Sequence, residues 1–351
     1  MGYDVIIAGS SFAGLAVASR LRGRILVIDP NAIGEHQTSA CATPVSIPER
    51  LGLMDSVLQL QRKLVLHTRA SMAVVDLSDD PYCTFDYKGF CRGMAANLPA
   101  QILKAHILGR EGKEVVTNRG RFTGEILVDA SGWRAVLCGR RKRFWRRRRP
   151  MSFGIETVAA KGGAELGFWF DPNVLPRGFG WDFSVDRGCR IGLASYAENH
   201  QLDGPLEVFL ERWGLPRART HGGYFPAALT EPIREDLFLV GDSAGQCLPL
   251  TGEGIRPAIY FGQACGLIIQ QILDGRVAHE EGLRAYRGFV MKHQRIYRVL
   301  RLAQNLGAYL PAQLTTSLLL LACRELSLSF ILRRYRAFAD LQKLCLMDLP
   351  N

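Results

Sequence analysis

The sequence lacks the cysteine and histidine spacings that build disulfide frameworks or zinc sites. Its nine cysteines are odd in number, scattered over 351 residues, and include no Cys-X-X-Cys pair. The seven histidines form no pair at the spacing of metal ligands. We therefore expect no metal site and a reducing compartment, the cytoplasm.

Long hydrophobic runs and targeting signals are also missing. The stretch MGYDVIIAGSS has no basic residues before its apolar part, unlike a secretory signal peptide. The most apolar late segment, LTTSLLLLACRELSLSFIL, is interrupted by Arg324 and Glu325, which argues against a membrane span. We expect a cytoplasmic protein whose membrane contact would be peripheral at most.

Acidic residues are fewer than basic ones, 33 against 44, which gives a formal net charge of +11. Eight of the basic residues lie in RRKRFWRRRR (140–149), and without them the charge would be +3. The chain holds no recognised nucleic-acid-binding motif, so nucleic acid is excluded as the expected partner. We interpret the run as a solvated connection, with a patch for anionic lipid or an acidic ligand as the open alternative.

A β-α-β unit opens the chain, with the buried strands YDVIIAG and RILVIDP around the helix SSFAGLAVASRL. The turn between the first strand and this helix has the spacing of the dinucleotide fingerprint, although a serine stands at its middle glycine position. An acidic residue ends the second strand, where it could bind ribose hydroxyls. The predicted cofactor-binding residues of this unit are Gly9, Ser11, Phe12, Ala13, Gly14 and Asp29.

Two later strands also end in an acid and a glycine. LVDASG contains Asp129, and LFLVGDSAG contains Gly241 and Asp242. A glycine-rich turn then leads into a helix, and glycine lets backbone amides approach a ligand closely. The predicted contacts of this turn are Thr251, Gly252, Glu253, Gly254 and Ile255.

In this order the three motifs resemble the flavoprotein superfamily of para-hydroxybenzoate hydroxylase and geranylgeranyl reductase. The resemblance implies noncovalent FAD, with Asp242 on the ribityl chain and Arg92 as a loose match to a flavin-contacting arginine. It places the late helix start beside the flavin pyrimidine ring, where the helix dipole favours the anionic reduced form. The implied fold is a Rossmann-like α/β FAD-binding domain interrupted by an antiparallel-sheet substrate domain and followed by a helical C-terminal region.

Alternating patterns between residues 150 and 230 predict the antiparallel sheet. AANLPAQILKAHIL predicts a helix, and KEVVTNRGRFTG predicts a hairpin. The predicted division assigns 1–65, 91–145 and 233–275 to the FAD-binding domain, 66–90 and 146–232 to the substrate domain, and 276–351 to the helical region.

Two stretches resemble the geranylgeranyl reductase branch in particular. In PRGFGWDFSVDRGCRIGLASY, the side chains of Phe179, Trp181 and Phe183 share one face of a strand, which could hold a polyprenyl chain. Cys41 occupies the place of a family cysteine beside the flavin. A packed core for the aromatic residues and a buried structural role for Cys41 are the alternatives. Ser184 departs from the family, which has proline there.

The leading hypothesis is an FAD-dependent reductase of isoprenoid C=C bonds, with Cys41 and Trp181 as catalytic residues and a hydrophobic small-molecule substrate. The chain has no second nucleotide fingerprint, so NAD(P)H or a reduced electron carrier would act as a transient donor. The alternative is an FAD-dependent monooxygenase of an aromatic or polyketide substrate. The Trp-X-Trp-X-Ile-Pro stretch of flavin halogenases is absent, and a flavin-binding scaffold is the non-enzymatic alternative.

Overall fold

The computed structural model describes residues 2–37, 39–69, 71–138, 150–160, 166–197, 201–216, 218–309, 335 and 337–345. The arginine run at 140–149 and the apolar segment at 314–332 lie outside the described residues. Within the described part of the chain, no helix combines the length and the apolar character needed to cross a bilayer.

The strands, in chain order, are β1 (Tyr3–Ala8), β2 (Ile25–Asp29), β3 (Ala42–Pro44), β4 (Val57–Gln61), β5 (Lys63–Thr68), β6 (Met72–Asp76), β7 (Tyr82–Phe85), β8 (Ala100–Lys104), β9 (Ile107–Glu111), β10 (Glu114–Thr117), β11 (Gly120–Asp129), β12 (Met151–Ala159), β13 (Leu166–Phe170), β14 (Gly178–Val185), β15 (Gly188–Ser195), β16 (Thr220–Pro226), β17 (Ile233–Arg234) and β18 (Leu237–Leu239). The α-helices are α1 (Phe12–Ala18), α2 (Ser46–Leu51), α3 (Tyr87–Ala95), α4 (Asp203–Leu210), α5 (Ile255–Leu273), α6 (His279–Met291), α7 (Gln294–Tyr309) and α8 (Leu341–Cys345).

The first sheet has the order β17-β18-β11-β1-β2-β8, and β9 and β10 extend from β11 as antiparallel strands. The contacts from β18 through β8 are parallel, and only β17 runs antiparallel to its neighbour. Its central strands read as near-continuous apolar runs because both of their faces are buried. The predicted Rossmann-like domain is therefore confirmed.

Helix α5 packs closely against α1 on one face of this sheet. A Cβ added at Gly262 would lie 2.7 Å from the Cβ of Ala16, and one at Gly266 would lie 2.5 Å from the carbonyl oxygen of Val17. The two glycines allow a close helix crossing, and this crossing brings the start of α5 to the fingerprint turn.

The prediction of a helix for AANLPAQILKAHIL is wrong. Helix α3 ends at Ala95, and the segment continues as β8 and β9. Strand β8 pairs in parallel with β2, placing Ile102 opposite Val27. The hydrogen bonds offered by the free edge of β2 override a local helix preference, and this pairing is not readable from the segment itself.

The second sheet has the order β16-β12-β15-β14-β13-β5-β6. It is antiparallel as predicted, except that β13 and β5 run parallel. Strand β5 lies much earlier in the chain than β13, and the long connection between the two strands permits parallel pairing. One face of the sheet packs on α4, and the other carries Phe179, Trp181 and Phe183. The small sheet β3-β7-β4 contacts β14.

The C-terminal region is helical as predicted over its described residues. Tyr286 and Tyr297 are fully buried between α5, α6 and α7. His293 lies among the rings of Tyr260, Phe289 and Phe338. Burial lowers the pKa of His293 to about 4, with a smaller contribution from the charge of Lys292, so its imidazole is a neutral core group at neutral pH.

Candidate active site

The three predicted motifs converge at the carboxyl ends of β1, β11 and β18, which are neighbouring parallel strands. Gly9 has a φ of +106°, and a Cβ there would lie 2.4 Å from the carbonyl oxygen of Ala130. Gly241 has a φ of +67°, and its Cβ would lie 2.9 Å from the Cβ of Ala13. The first motif therefore contacts the other two through positions that only glycine can occupy. Ligands of open α/β sheets bind at such an edge.

Gly14 and Asp29 hold the fingerprint turn in place. A Cβ on Gly14 would lie 2.0 Å from the carbonyl oxygen of Gly9, so helix α1 can approach the strand end only without a side chain there. The Asp29 carboxylate accepts hydrogen bonds at 2.8 Å from the backbone amides of Ser10 and Asn31. The acid at the end of β2 thus orders the turn as well as standing where a ribose would bind.

The side chains of two residues predicted in the same turn contact helix α3. The ring of Phe12 is buried against Phe90 and Tyr87, so its side chain belongs to the core. The hydroxyl of Ser11 lies 3.1 Å from the hydroxyl of Tyr87. Arg92, the loose arginine match, is exposed in the last turn of α3.

The carboxylate of Asp129 is directed at protein donors. It is fully buried and accepts hydrogen bonds from the hydroxyls of Ser131 at 2.6 Å and Ser243 at 3.1 Å, and from the amide of Leu137 at 2.7 Å. Burial raises its pKa, although these hydrogen bonds act in the opposite direction. The Asp129 carboxylate therefore links the second motif to the third through the hydroxyl of Ser243, and it is not presented as a free carboxylate to a cofactor.

Gln246 was not predicted, yet it orders the loop that carries Asp242. Its side-chain oxygen accepts from the amide of Gly241 at 2.6 Å, and its side-chain nitrogen donates to the hydroxyl of Tyr286 at 3.1 Å. Its carbonyl accepts from the hydroxyl of Tyr297 at 2.6 Å. The sequence carries no local signal for this network because its partners follow 40 and 51 residues later.

The glycine-rich turn differs in one respect from the prediction. The amides of Thr251 and Gly252 donate to the carbonyls of Pro249 and Leu248, at 2.8 and 3.1 Å. These amides are used within the loop. The N-cap of α5 is Gly254, which has no side chain to cap the helix; Pro257 has no N–H, and the Ala258 amide donates to the Gly254 carbonyl, so the amides of Ile255 and Arg256 are the first-turn donors without intrahelical partners. Donors suited to an anion therefore lie at the helix start.

Glu253, also predicted as a cofactor contact, forms a buried ion pair with Arg256. The guanidinium donates to both carboxylate oxygens, at 2.7 and 2.8 Å, and the hydroxyl of Tyr335 donates to one of them. Burial alone would raise the pKa of Glu253, but the charge and hydrogen bonds of Arg256 hold it below its usual range. Arg256 also donates to the carbonyls of Tyr335 and Phe338, which ties the C-terminal segment to this turn.

The aromatic face of the second sheet meets the same turn. Phe179, Trp181 and Phe183 are buried on one face of β14, and their neighbouring rings lie 6.0 and 6.3 Å apart. A Cβ on Gly252 would lie 3.8 Å from the ring of Phe179 and 3.5 Å from that of Phe225. The sequence predicted the shared face, and the structure brings it against the loop that follows Asp242.

Cys41 is fully buried, and its side chain belongs to the core cluster that contains Phe85, Phe90 and Cys91. Its φ of +55° is unusual for a residue with a side chain, and its thiol donates to the carbonyl of Ser39 at 3.2 Å. The flanking Ala40 and Ala42 pack against the aromatic cluster. Burial raises the pKa of the Cys41 thiol far above its ordinary value, so the group stays protonated at neutral pH.

These residues fit FAD. Gly9, Gly14 and Gly241 leave room for backbone where a side chain would collide, and the start of α5 offers donors toward an anion. Asp242 is half-buried directly after Gly241, at the junction of the first and third motifs. The chemistry of this set fits a dinucleotide that is bound largely through backbone groups.

Comparisons with known proteins agree with this geometry. No family model matches the chain. A digeranylgeranylglycerophospholipid reductase from Methanothermobacter thermautotrophicus is 27% identical over 216 residues, which cover 52% of this chain and 53% of that protein. A geranylgeranyl diphosphate reductase from Rhodobacter capsulatus is 26% identical over 246 residues, covering 63% and 61%. The chain thus spans about half to three fifths of the length of these relatives.

Solved structures extend the likeness to nearly the whole chain. A geranylgeranyl bacteriochlorophyll reductase-like protein from Thermoplasma acidophilum superposes with a TM-score of 0.80 at 15% identity, covering 92% of both chains. PqsL from Pseudomonas aeruginosa, described as a probable FAD-dependent monooxygenase, gives 0.65 at 14% identity, covering 90% of this chain and 99% of that one. At these identities the likeness establishes the fold. The chain is similar in sequence to proteins named as geranylgeranyl reductases, and its Rossmann-like fold is the one found in these solved structures.

Proposed function

We propose that this protein is an FAD-dependent oxidoreductase that reduces C=C bonds of an isoprenoid-type hydrophobic substrate. The observation that carries the proposal is the approach of the aromatic face to the loop after Asp242, where a Cβ added to Gly252 would lie 3.8 Å from the ring of Phe179 and 3.5 Å from that of Phe225. The wall of the site beside the expected flavin is therefore lined by aromatic rings, and its Trp181 indole donates a hydrogen bond to the buried carboxylate of Glu156. Such a wall suits a long alkene, which offers shape and no charge. The named activities of the sequence relatives support the same substrate class.

The cofactor would be held mainly by backbone. The turn from Gly9 to Gly14 would receive the pyrophosphate, Asp29 the ribose and Asp242 the ribityl chain. The start of α5 would stabilise negative charge on the reduced ring. When bound and reduced, FAD would supply a hydride to one alkene carbon.

Cys41 would supply the proton that the other alkene carbon needs. Its buried thiol is protonated at neutral pH and donates to the carbonyl of Ser39, and the flanking Ala40 and Ala42 pack on the aromatic cluster. A thiol with a raised pKa is a poor nucleophile that stays protonated at neutral pH, and it is also a weaker acid than an ordinary thiol. Trp181 and its two aromatic neighbours would hold the substrate chain and keep water away.

Electrons would come from NAD(P)H bound transiently or from a reduced carrier protein. The sequence contains no second nucleotide fingerprint that would hold a nicotinamide cofactor permanently. Contact with a membrane surface, where prenyl lipids reside, remains part of this proposal through the arginine run.

The test is an anaerobic reaction of dithionite-reduced protein with geranylgeranyl compounds, followed by mass spectrometry. We expect a gain of two hydrogen atoms per reduced double bond. No mass gain across a range of prenyl substrates, together with rapid oxygen consumption stimulated by an aromatic compound, would establish the monooxygenase alternative instead.

Three variants separate cofactor binding from chemistry. Asp242→Ala removes an acceptor for the ribityl chain and should yield colourless protein. Cys41→Ser should keep FAD and slow product formation, whereas Cys265→Ser, at another fully buried thiol, should change neither. Trp181→Ala should keep FAD and raise KM for long prenyl chains.

A further inference from the structure

Helix α7 presents an apolar stripe to solvent, and no prediction from the sequence gave this helix a role. Val299, Leu302 and Leu306 are 59%, 59% and 52% exposed. Their spacing of three and four residues places their side chains on one face of the helix. Apolar residues scattered singly over a surface are ordinary, whereas a contiguous row bordered by polar residues is typical of an interaction surface.

The opposite face of α7 packs inside the protein and contacts the loop that follows Asp242. Tyr297 is buried, and its hydroxyl donates to the carbonyl of Gln246 at 2.6 Å. The side-chain oxygen of Gln304, which is also buried, accepts a hydrogen bond from the amide of Leu250 at 2.8 Å. Both partners belong to the loop between Asp242 and the start of α5. Helix α7 therefore has one face fixed to the candidate site and the other exposed to solvent.

Basic side chains border the apolar stripe. The sequence from residue 292 to residue 306 contains no aspartate or glutamate, and its cations are Lys292, Arg295, Arg298 and Arg301. The first three of these residues are exposed, and Arg301 is half-buried. The exposed surface of α7 is therefore both apolar and positively charged.

An apolar stripe bordered by cations is complementary to an anionic lipid bilayer. Apolar side chains of a surface-lying helix enter the boundary between the headgroups and the acyl chains. Lysine and arginine keep their methylene groups in this apolar layer while their charges reach the anionic headgroups. A second copy of this chain is a poorer match, because a two-fold contact between α7 helices would bring like charges together around the stripe.

We propose that the exposed face of α7 is the surface by which this protein docks on an anionic phospholipid bilayer. The inference rests on the proposed function for the substrate that docking would deliver, a prenyl chain embedded in lipid. Such a chain would leave the bilayer beside the helix that contacts Gln246 and Leu250 of the site. The docking itself depends neither on the chemistry of the site nor on the arginine run at 140–149, so it can be tested separately.

The first test measures co-sedimentation with vesicles made of phosphatidylglycerol and phosphatidylcholine in equal parts. We expect the wild-type protein to bind these vesicles, and to bind less at high salt because ions screen the headgroup charge. Val299→Ser/Leu302→Ser/Leu306→Ser keeps every charge and should lower the partitioning on the order of tenfold or more, since it removes three apolar side chains from the lipid. Val208→Ser, at an exposed apolar residue of α4, is the matched control and should bind as wild type does.

A second measurement locates the contact on the protein. Leu302→Trp places an indole on the stripe, and Val208→Trp places one on α4. Lipids brominated on their acyl chains quench the fluorescence of indoles that enter the apolar layer. After subtraction of wild-type emission, we expect quenching in Leu302→Trp and none in Val208→Trp. Urea unfolding checks that every variant keeps its fold, and the single variant Leu302→Ser replaces the triple variant if the latter does not.

Vesicle binding of the triple variant at the wild-type level would overturn the proposal, and so would equal quenching at the two tryptophan positions. Light scattering tests the alternative of a second copy. A wild-type dimer that becomes a monomer in the triple variant, with unchanged vesicle binding, would assign the stripe to self-association. None of these measurements needs turnover. If binding depends on α7 while no prenyl compound is reduced, the proposed function fails and the docking surface stands.

Discussion

At the carboxyl edge of the first sheet, loops from β1, β11 and β18 contact each other through backbone atoms at Gly9, Gly14 and Gly241. On the second sheet, the corresponding part of the site is made of side chains from several strands, among them Glu156 and Trp181. The loop contacts at the edge of the first sheet leave no room for a side chain at these glycines, so we expect almost no substitution to be tolerated there. The part on the second sheet depends on which residues strand pairing places opposite each other. These residues are therefore spread along the chain without a common spacing.

This difference explains what each half can do. Backbone donors and helix starts bind a cofactor whose shape is the same in every member of a superfamily. Side chains on a sheet face can vary while the sheet persists, so they suit the part of the site that selects a substrate. The contrast predicts a ranking of effects when each half is disturbed.

The largest effect should come from Gly14→Val. Its Cβ would lie 2.0 Å from the Gly9 carbonyl oxygen, so α1 must move away from β1. We expect loss of bound FAD and destabilisation of at least about 3 kcal/mol, at the upper end of overpacking penalties. Flavin absorbance and urea unfolding measure both. Gly109→Ala is the control, since no atom lies within 4 Å of its added Cβ, and equal damage in both variants would contradict the steric explanation.

Arg256→Met should come next, because it leaves the buried Glu253 carboxylate unpaired. The expected loss of stability is about 3 kcal/mol, at the lower end for breaking a buried ion pair, whereas Glu253→Gln/Arg256→Met should recover much of it. The pKa of Glu253 is held low in the folded state, so the pair's contribution is present above the ordinary carboxyl pKa and is lost as pH falls through the lowered value. Urea unfolding at several pH values tests this. A double variant as unstable as the single one would show that the loss is not electrostatic.

Gly192→Ala should disturb the second sheet while sparing the first. Its Cβ would collide with the Trp181 ring and break the hydrogen bond to Glu156, at a cost of about 1–3 kcal/mol. We expect retained FAD, altered tryptophan fluorescence and weaker binding of prenyl compounds. On the same sheet face, Gly154→Ala meets only ordinary contacts at 3.6 Å or more and should leave these properties unchanged. Loss of FAD in Gly192→Ala would mean that the two halves are not separable.

The smallest effect on the site should come from replacing Arg146, Arg147, Arg148 and Arg149 by Gln. We expect the variant to bind anionic liposomes more weakly, by about 1 kcal/mol for each arginine near the membrane surface. The visible flavin spectrum should stay as in wild type. Bleaching would instead assign the arginine run to the cofactor site.

Some residues of the site were predictable because their role is local. Gly9, Gly14 and Asp29 belong to one strand-turn-helix-strand unit, so their spacing alone carries the geometry. Phe179, Trp181 and Phe183 share a face because side chains alternate along any strand. For Asp129 and Glu253 the sequence predicted the location but not the role. Both lie near the site, yet their carboxylates accept hydrogen bonds from protein donors.

The sequence by itself determined the Rossmann-like unit and the aromatic face, because each depends on residues close together in the chain, and the order of the three motifs is read directly along the sequence. Only the tertiary structure decided that residues 100–104 form an edge strand and that Gln246 orders the loop of Asp242. It also decided that Glu156, Arg190 and His221 meet behind Trp181. The physical reason is register: pairing between strands far apart in the chain sets which side chains become neighbours, and no local pattern encodes that pairing.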